Sequence, residues 1–160
     1  MPSDLAPPNL STRFFAASHE TLIWARKTEK AKHKFNYKLM KNEDWPKDPI
    51  KRDGKQMRSV WGISAPPPSE KKFGKHATQK PTDLLKRVVL SSTDEGDLIL
   101  DPFTGSSTTG LVTYAYDREF IGIDNSREYL DRSILRFNDL KKTIEKKKAI
   151  ERSRRIEDYS

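Results

Sequence analysis

The pattern of apolar and polar residues divides the chain into a nearly aperiodic first half and a regular second half. A short apolar run, TLIWA at residues 21–25, is rich in strand-forming residues and predicts one buried strand. From Lys27 to Lys80 the sequence is basic, punctuated by proline and almost without helical period. The predictable architecture therefore lies in the second half.

In the second half, the pattern predicts a helix opened by Pro81, with an apolar stripe at Leu84, Leu85, Val88 and Val89. A buried strand at 98–100, a helix over 106–116 and a second strand at 120–123 follow. This order predicts the right-handed crossover of a parallel sheet. A last helix carries apolar residues at three- and four-residue steps, at Leu130, Ile134, Phe137, Leu140 and Ile144. The basic stretch after it predicts a frayed helical end or a disordered tail.

Composition narrows the possible partners. Hydrophobic and charged residues each make up 34% of the 160 residues, so the core is thin and part of it is expected to need a partner surface. A net charge of +8 favours a polyanionic partner. Cysteine is absent and the three histidines are scattered, so no metal site is expected. Without a membrane-length apolar run, the chain is expected to be cytoplasmic.

The loop DPFTGSSTTG, residues 101–110, follows the first strand of the crossover and is the strongest candidate site. Ligands of parallel sheets bind beyond the carboxyl ends of the strands. Gly105 lets the backbone turn sharply, and the free amides of the next helix favour an anionic group. Asp124 closes the second strand nineteen residues later, where an acidic side chain usually holds ribose hydroxyls. The two features together indicate a ligand that contains a nucleoside.

Two other interpretations stay open on these residues alone. Serine and threonine are good helix caps, and Asp124 can cap the last helix through its amides. A dinucleotide-binding fold needs the spacing G-x-G-x-x-G, whereas the loop holds only Gly105 and Gly110. A capped turn is therefore the stronger of the two alternatives.

Three motifs together carry a family resemblance. KHATQKP at 75–81, DPFTGSSTTG and FIGID at 120–124 resemble the DNA amino-methyltransferases that methylate N6 of adenine or N4 of cytosine, in the beta-type motif order. HETLIWARK, KFNY and QMRSVWGI look like the connecting and recognition region of that family, and the resemblance covers most of residues 9–140. It implies an α/β fold: a partial Rossmann-like methyltransferase sheet with helices on both faces and an irregular basic recognition segment.

The resemblance also implies a site for S-adenosylmethionine, with Asp124 accepting the ribose hydroxyls. The residues that would form this site are His76, Thr78, Gln79, Asp101, Phe103, Gly105, Ser106, Ser107, Thr108 and Asp124. Ser107 departs from the family, which usually has a second glycine there. We expect helix geometry to tolerate this serine without strain, although its side chain would stand where the amino-acid end of the cofactor packs.

The catalytic tetrapeptide of the family, Asp/Asn/Ser-Pro-Pro-aromatic, has no counterpart in the sequence. The two Pro-Pro stretches, at 6–9 and 65–68, lack both the polar first residue and the aromatic last one. No catalytic residue is therefore assigned, and the chain resembles the C-terminal part of a methyltransferase, inactive without a second polypeptide or an N-terminal portion that carries the tetrapeptide. HETLIWARK and QMRSVW look closer to the adenine branch. A non-catalytic nucleic-acid-binding remnant is the alternative function.

Double-stranded DNA is the expected macromolecular partner, and basic residues interleaved with aromatic ones are its expected contacts. These are Arg52, Lys55, Arg58, Trp61, Lys71, Lys72 and Lys75. A solvated basic loop is the alternative. The expected domain organisation is an N-terminal segment with one strand (1–27), the DNA-contact region (28–74), the cofactor-binding half (75–145) and a basic tail (146–160). Trp24 and Phe137 are expected in the core.

Overall fold

A computed structural model of the chain describes residue 13 and residues 19–42, 45, 48–74 and 76–157. The chain divides into two units, Met1–Lys34 and Phe35–Ser160. Lys75 and the N-terminal residues 1–11 lie outside the described residues. In the first unit the run TLIWA forms no strand, and Trp24 is 63% exposed. The predictions of a strand at 21–25 and of a core position for Trp24 are therefore wrong: no strand among the described residues pairs with this run.

The second unit contains the regular elements. In chain order they are α1 (Tyr37–Asn42), a 3-10 turn (Pro68–Lys71), α2 (Thr82–Ser92), β1 (Leu98–Asp101), α3 (Thr108–Ala115), β2 (Glu119–Gly122) and α4 (Arg127–Glu157). Strands β1 and β2 are parallel and α3 connects them. The predicted strand-helix-strand unit with parallel strands and the α/β fold class are confirmed.

The two faces of the strand pair differ sharply. Ile99 and Phe120 are neighbours in the register and lie on the half-buried face. Helix α3 covers this face so closely that a Cβ on Gly110 would lie 2.5 Å from the Phe120 ring. The opposite face carries four apolar side chains that are each 48–60% exposed, those of Leu98, Leu100, Ile121 and Ile123. Helices were expected on both faces, but no described helix covers this second face.

A buried ion pair joins the basic segment to α2. Arg87 donates to Asp48 at 2.5 Å, and both side chains are 2% exposed. The guanidinium carbon lies 5.0 Å from the Trp45 ring centre and 5.3 Å from that of Trp61. Burial raises the pKa of Asp48, but hydrogen bonds from the Ile50 amide, the Arg87 guanidinium and the Gly62 amide outweigh it, so the net pKa is lowered. This pair gives the irregular segment a fixed attachment to a helix.

Helix α4 is longer than the apolar pattern predicts. It runs for 31 residues to Glu157, so of the two expectations for the basic stretch, the disordered tail is wrong for residues 146–157 and the helical end agrees with the structure. Phe137, expected in the core, is 36% exposed and packs on Tyr114 with ring centres 4.5 Å apart. No helix in the described part of the chain is long and apolar enough to cross a membrane.

Candidate functional site

The loop between β1 and α3 turns through two left-handed residues. Gly105 has φ +52° and Ser107 has φ +57°. Ser107 precedes the first residue of α3, so the expectation that helix geometry holds this serine without strain is wrong. Glycine adopts this conformation freely, which gives a physical reason for a glycine at the equivalent family position. At Gly105 an added Cβ would lie 2.9 Å from His76 Nε2, so the loop and the His76 segment are in contact.

Asp124 joins the ends of both strands. Its Oδ2 accepts a hydrogen bond from the Gly105 amide at 2.8 Å, and its Oδ1 accepts one from the Ser126 amide at 2.8 Å. The amides of Ser126 and Gly105 lower the pKa of Asp124, and the nearby charge of His76 adds to the effect. The carboxylate therefore stays ionised at neutral pH. The carboxylate keeps acceptor capacity for a ligand hydroxyl.

Asp101 holds the start of the loop through two hydrogen bonds to other residues of the loop. Its Oδ2 accepts from the Thr109 hydroxyl at 2.7 Å, and its Oδ1 accepts from the Phe103 amide at 3.1 Å. Phe103 follows with 87% of its surface exposed. An exposed aromatic ring at the end of a strand can serve as a wall for a flat ligand.

The segment before α2 borders the same loop. The His76 ring lies 4.2 Å from the Tyr129 ring of α4, and the Thr78 amide donates to His76 Nδ1 at 3.2 Å. Gln79 accepts from the Ser106 hydroxyl at 3.3 Å and donates to the Glu70 carbonyl at 2.9 Å. The structure thus places His76 and Gln79 in direct contact with the loop, and their contact with the cofactor stays a prediction.

Helix α4 supplies loop contacts that the sequence analysis missed. Arg136, 8% exposed, donates to the Ser106 carbonyl, to the Ser106 hydroxyl at 3.0 Å and to the Thr108 hydroxyl at 3.1 Å. Burial lowers the pKa of Arg136, and the charge of Glu70 partly offsets this. The Ser133 hydroxyl donates to the Gly105 carbonyl at 2.9 Å. Ser133 and Arg136 stand at i+4 and i+7 from Tyr129, and this helical spacing of polar groups is the signal that could have identified them.

The expected DNA contacts fall into separate groups. Arg52, Lys55 and Arg58 line one cavity of about 290 Å³ in the basic segment. Trp61 packs beside the buried Arg87 and donates from its indole to the Arg58 carbonyl. Lys71 ends the 3-10 turn and is half-buried, and Lys72 forms an ion pair with Asp139 of α4 at 2.5 Å. The structure brings the first three together and places Lys71 and Lys72 in a different part of the segment.

A parallel strand pair that ends in a glycine loop and an acidic side chain is typical of α/β domains that bind nucleotide-like ligands. The sequence matches the N6_N4_Mtase family, described as DNA methylase, over residues 3–135, and the chain belongs to this family.

Two similar proteins are type II methyltransferases. The chain is 51% identical to M2.LlaDCHI of Lactococcus lactis subsp. cremoris over 132 residues, which are 82% of this chain and 46% of the relative. It is 54% identical to M2.DpnII of Streptococcus pneumoniae over 124 residues, 77% of this chain and 43% of the relative. The chain thus spans about half the length of these curated relatives.

A solved structure agrees with this family assignment. The crystal structure of the M1.HpyAVI–SAM complex matches with a TM-score of 0.51 and 35% sequence identity. The match covers 68% of this chain and 46% of that chain. The methyltransferase fold class inferred from the three motifs is therefore confirmed.

Proposed function

We propose that this chain is the cofactor-binding half of a site-specific DNA methyltransferase that uses S-adenosylmethionine and acts on N6 of adenine. The juxtaposition of the Gly105 loop and the Asp124 carboxylate at the ends of two parallel strands carries the proposal. Membership of the DNA methylase family gives the reaction class, and similarity to the M1.HpyAVI–SAM complex supports the choice of cofactor.

The residues present fit this cofactor. A Cβ on Gly105 would lie 2.9 Å from His76 Nε2, so a glycine is needed for the loop to pass this close to the His76 side chain. Asp124 is an ionised acceptor suited to ribose hydroxyls, and the exposed Phe103 ring is suited to a flat base. The cofactor, when bound, supplies an activated methyl group. Asp101, Gln79 and Arg136 hold the loop in shape through their hydrogen bonds to it.

For the other predicted cofactor contacts, the exposure of the side chain decides whether we assign it to the ligand or to the support of the loop. Thr78 is exposed at the tip of the turn before α2, where a ligand could reach it. Ser106, Ser107 and Thr108 are buried, so we assign to their side chains the support of the loop. Their backbone amides lie at the start of α3, where a carboxylate is favoured.

DNA is the proposed substrate, held by the basic segment. The cavity lined by Arg52, Lys55 and Arg58 provides three cations for phosphates, and the Asp48–Arg87 pair fixes the segment against α2. Lys71 and Lys72 are proposed as further phosphate contacts in a different part of the segment, and Lys75 is proposed from the sequence alone. HETLIWARK and QMRSVW support adenine as the target. We assign the chain to an N-terminal segment (1–27), the DNA-contact region (28–74), the cofactor-binding half (75–145) and a basic tail (146–160).

We further propose that a second polypeptide, or an N-terminal portion of a longer protein, supplies the Pro-Pro-aromatic tetrapeptide. The chain spans 46% of M2.LlaDCHI, and one apolar face of its strand pair is exposed in the described residues. An apolar face of this kind is stabilised when another polypeptide covers it.

The proposal is tested by calorimetric titration of the 160-residue chain with S-adenosylmethionine. Asp124→Ala removes an acceptor whose hydrogen bonds to ligand hydroxyls are charge-assisted, so affinity should fall at least about tenfold. Asp131→Ala is the matched control, because its carboxylate is 65% exposed and pairs only with the exposed Arg127 among the ion pairs described. If wild type and Asp124→Ala bind S-adenosylmethionine with equal affinity, the assignment of the cofactor site to Asp124 is wrong. Absence of binding by the wild type would favour the non-catalytic nucleic-acid-binding remnant.

A further inference from the structure

The C-terminal half of α4 concentrates the positive charge of the chain. Residues 141–155 hold eight Lys and Arg residues against two Glu, a net charge of +6, compared with +8 for the whole chain. In this stretch every residue except Ile144 is exposed. The helix stays continuous through it to Glu157. This segment is therefore an exposed, positively charged stretch of helix. None of its residues belongs to the proposed cofactor site.

The cations are not spread evenly around the helix. At 100° per residue, four of them fall within an arc of about 60°. We call these the α4 stripe: Lys141, Lys148, Arg152 and Arg155. With a rise of 1.5 Å per residue, the stripe is about 21 Å long, comparable to about six base pairs of duplex at 3.4 Å each.

We propose that the α4 stripe is a second DNA-binding surface, which contacts the phosphate backbone of the duplex beside the target site. Like charges at i and i+4, such as Lys148 and Arg152, repel each other on an isolated helix, and phosphates placed along the stripe would relieve this repulsion. The choice of duplex DNA, among possible polyanions, rests on the proposed function.

Other partners fit the stripe less well. A membrane-surface helix needs its apolar residues on one face, but Ile144 and Ile150 are separated by about 120° around the axis. A second copy of the helix would set like charges against each other, because the segment carries only two acidic residues. A polyanion is the partner that the charge distribution favours.

The stripe lies beyond the proposed cofactor site along α4 and on another side of the helix. Arg136 touches the loop at Ser106, which places that turn of α4 beside the proposed cofactor site. Along the axis, Lys141 lies about 8 Å beyond Arg136 and Arg155 about 28 Å beyond it. At 100° per residue the centre of the stripe is turned about 130° around the axis from Arg136, so the stripe would bind duplex outside the target site and on another side of the helix.

The test compares two fourfold variants of the 160-residue chain. The stripe variant is Lys141→Gln, Lys148→Gln, Arg152→Gln and Arg155→Gln. The control variant is Lys142→Gln, Lys146→Gln, Lys147→Gln and Arg154→Gln, which removes the same charge from the other sides of the same helix. Glutamine keeps the helix propensity of the segment. Affinity for a labelled 30-base-pair duplex is measured at several salt concentrations, and S-adenosylmethionine affinity is measured by calorimetry.

We expect the stripe variant to lose up to about 3.6 from the log–log salt slope, 0.9 for each of four phosphates, and the control variant to lose clearly less. Both should keep wild-type cofactor affinity. Equal losses in the two variants, an unchanged slope, or no duplex binding by the wild-type chain would each overturn the proposal. An RNA hairpin that competes as well as duplex would overturn the choice of duplex DNA. Loss of cofactor binding by the wild type would instead count against the proposed function, so the two failures are distinguishable.

Discussion

The Asp124 carboxylate accepts a hydrogen bond from the Gly105 amide at 2.8 Å, although nineteen residues separate them. This bond connects the end of β2 to the loop that leaves β1, and the Ser126 amide binds the other carboxylate oxygen. The residue proposed to hold the ribose therefore also holds the loop in place. The bond to the Ser126 amide agrees with the interpretation of Asp124 as a cap near α4, whereas its role as a ligand acceptor stays a proposal.

This double role predicts a pH dependence. Because the amides of Ser126 and Gly105 lower the pKa of Asp124 below 3.8, its ionised form stabilises the fold above about pH 3.8. The contribution is lost as pH falls through the folded pKa. Asp124→Asn should melt at a lower temperature than wild type at about pH 6, and the difference should shrink as pH falls through the folded pKa of Asp124. Melting curves by circular dichroism measure this, and identical curves at every pH would contradict it.

The Asp48–Arg87 pair should contribute strongly to stability. Both side chains are 2% exposed, so Arg87→Met leaves a buried carboxylate without its cation and should cost about 3–5 kcal/mol in free energy of unfolding. The exposed Arg127–Asp131 pair is the control, and Arg127→Met should cost no more than about 1 kcal/mol. Urea denaturation compares the two variants, and similar losses in both would refute a special role for the buried pair.

Arg136 should stabilise the loop between β1 and α3 more than it stabilises helix α4. Its bonds to the Ser106 carbonyl and the Thr108 hydroxyl are lost in Arg136→Met, at a cost of about 1.5–3 kcal/mol. Because the loop then loses an anchor, cofactor affinity should fall as well. Arg136→Lys keeps the charge and should recover part of both. Calorimetry and thermal melting give the two readouts, and a variant that loses stability while binding normally would limit Arg136 to a structural role.

The salt dependence of DNA binding should separate the two groups of cations in the basic segment. Arg52, Lys55 and Arg58 share a cavity, so changing all three to Gln should reduce the log–log slope by up to about 2.7. Lys72 already pairs with Asp139, so Lys72→Gln should change the slope by less than about 0.9. Fluorescence anisotropy with a labelled duplex measures both, and an unchanged slope in the triple variant would mean that this loop is only solvated.

Elements that depend on local pattern were predictable from the sequence. The β1–α3–β2 crossover follows from two apolar runs, a glycine loop and an intervening helix, and the structure has it within one or two residues of the predicted bounds. The run at 21–25 failed because a strand needs a hydrogen-bonding neighbour, which a single sequence window does not contain.

The pattern of apolar and polar residues did not predict long-range contacts or the backbone conformation of the loop. Arg136 is buried because it bonds to loop groups 28 and 30 residues away, and no periodicity of apolar residues marks such a position. The left-handed conformation of Ser107 was likewise hidden, since serine is also a common helix cap. The strand-loop-helix pattern did locate the surrounding loop, and the resemblance to the family added the expected cofactor.

The exposed apolar face of the strand pair leads to the last prediction. Methyl transfer to an exocyclic amine requires the base to be taken out of the stack and its nitrogen to be aligned with the methyl group. The chain contains no Pro-Pro-aromatic tetrapeptide for this task, and Leu100 and Ile121 stay exposed on the uncovered face. The isolated chain should therefore transfer no methyl group. A polypeptide that carries the tetrapeptide and the missing strands should cover this face, raise the melting temperature and restore activity.

Incorporation of tritiated methyl groups into DNA measures this, with the chain and the added polypeptide each assayed alone and then together. The matched control is the mixture made with Asp124→Ala, whose activity at limiting cofactor should be lower by at least about tenfold because its affinity is lower. A second control variant, Leu100→Asp with Ile121→Asp, places charges on the uncovered face and should prevent the increase in melting temperature while leaving cofactor binding by the chain intact. Robust incorporation by the 160-residue chain alone would show that one of its own residues holds the target base.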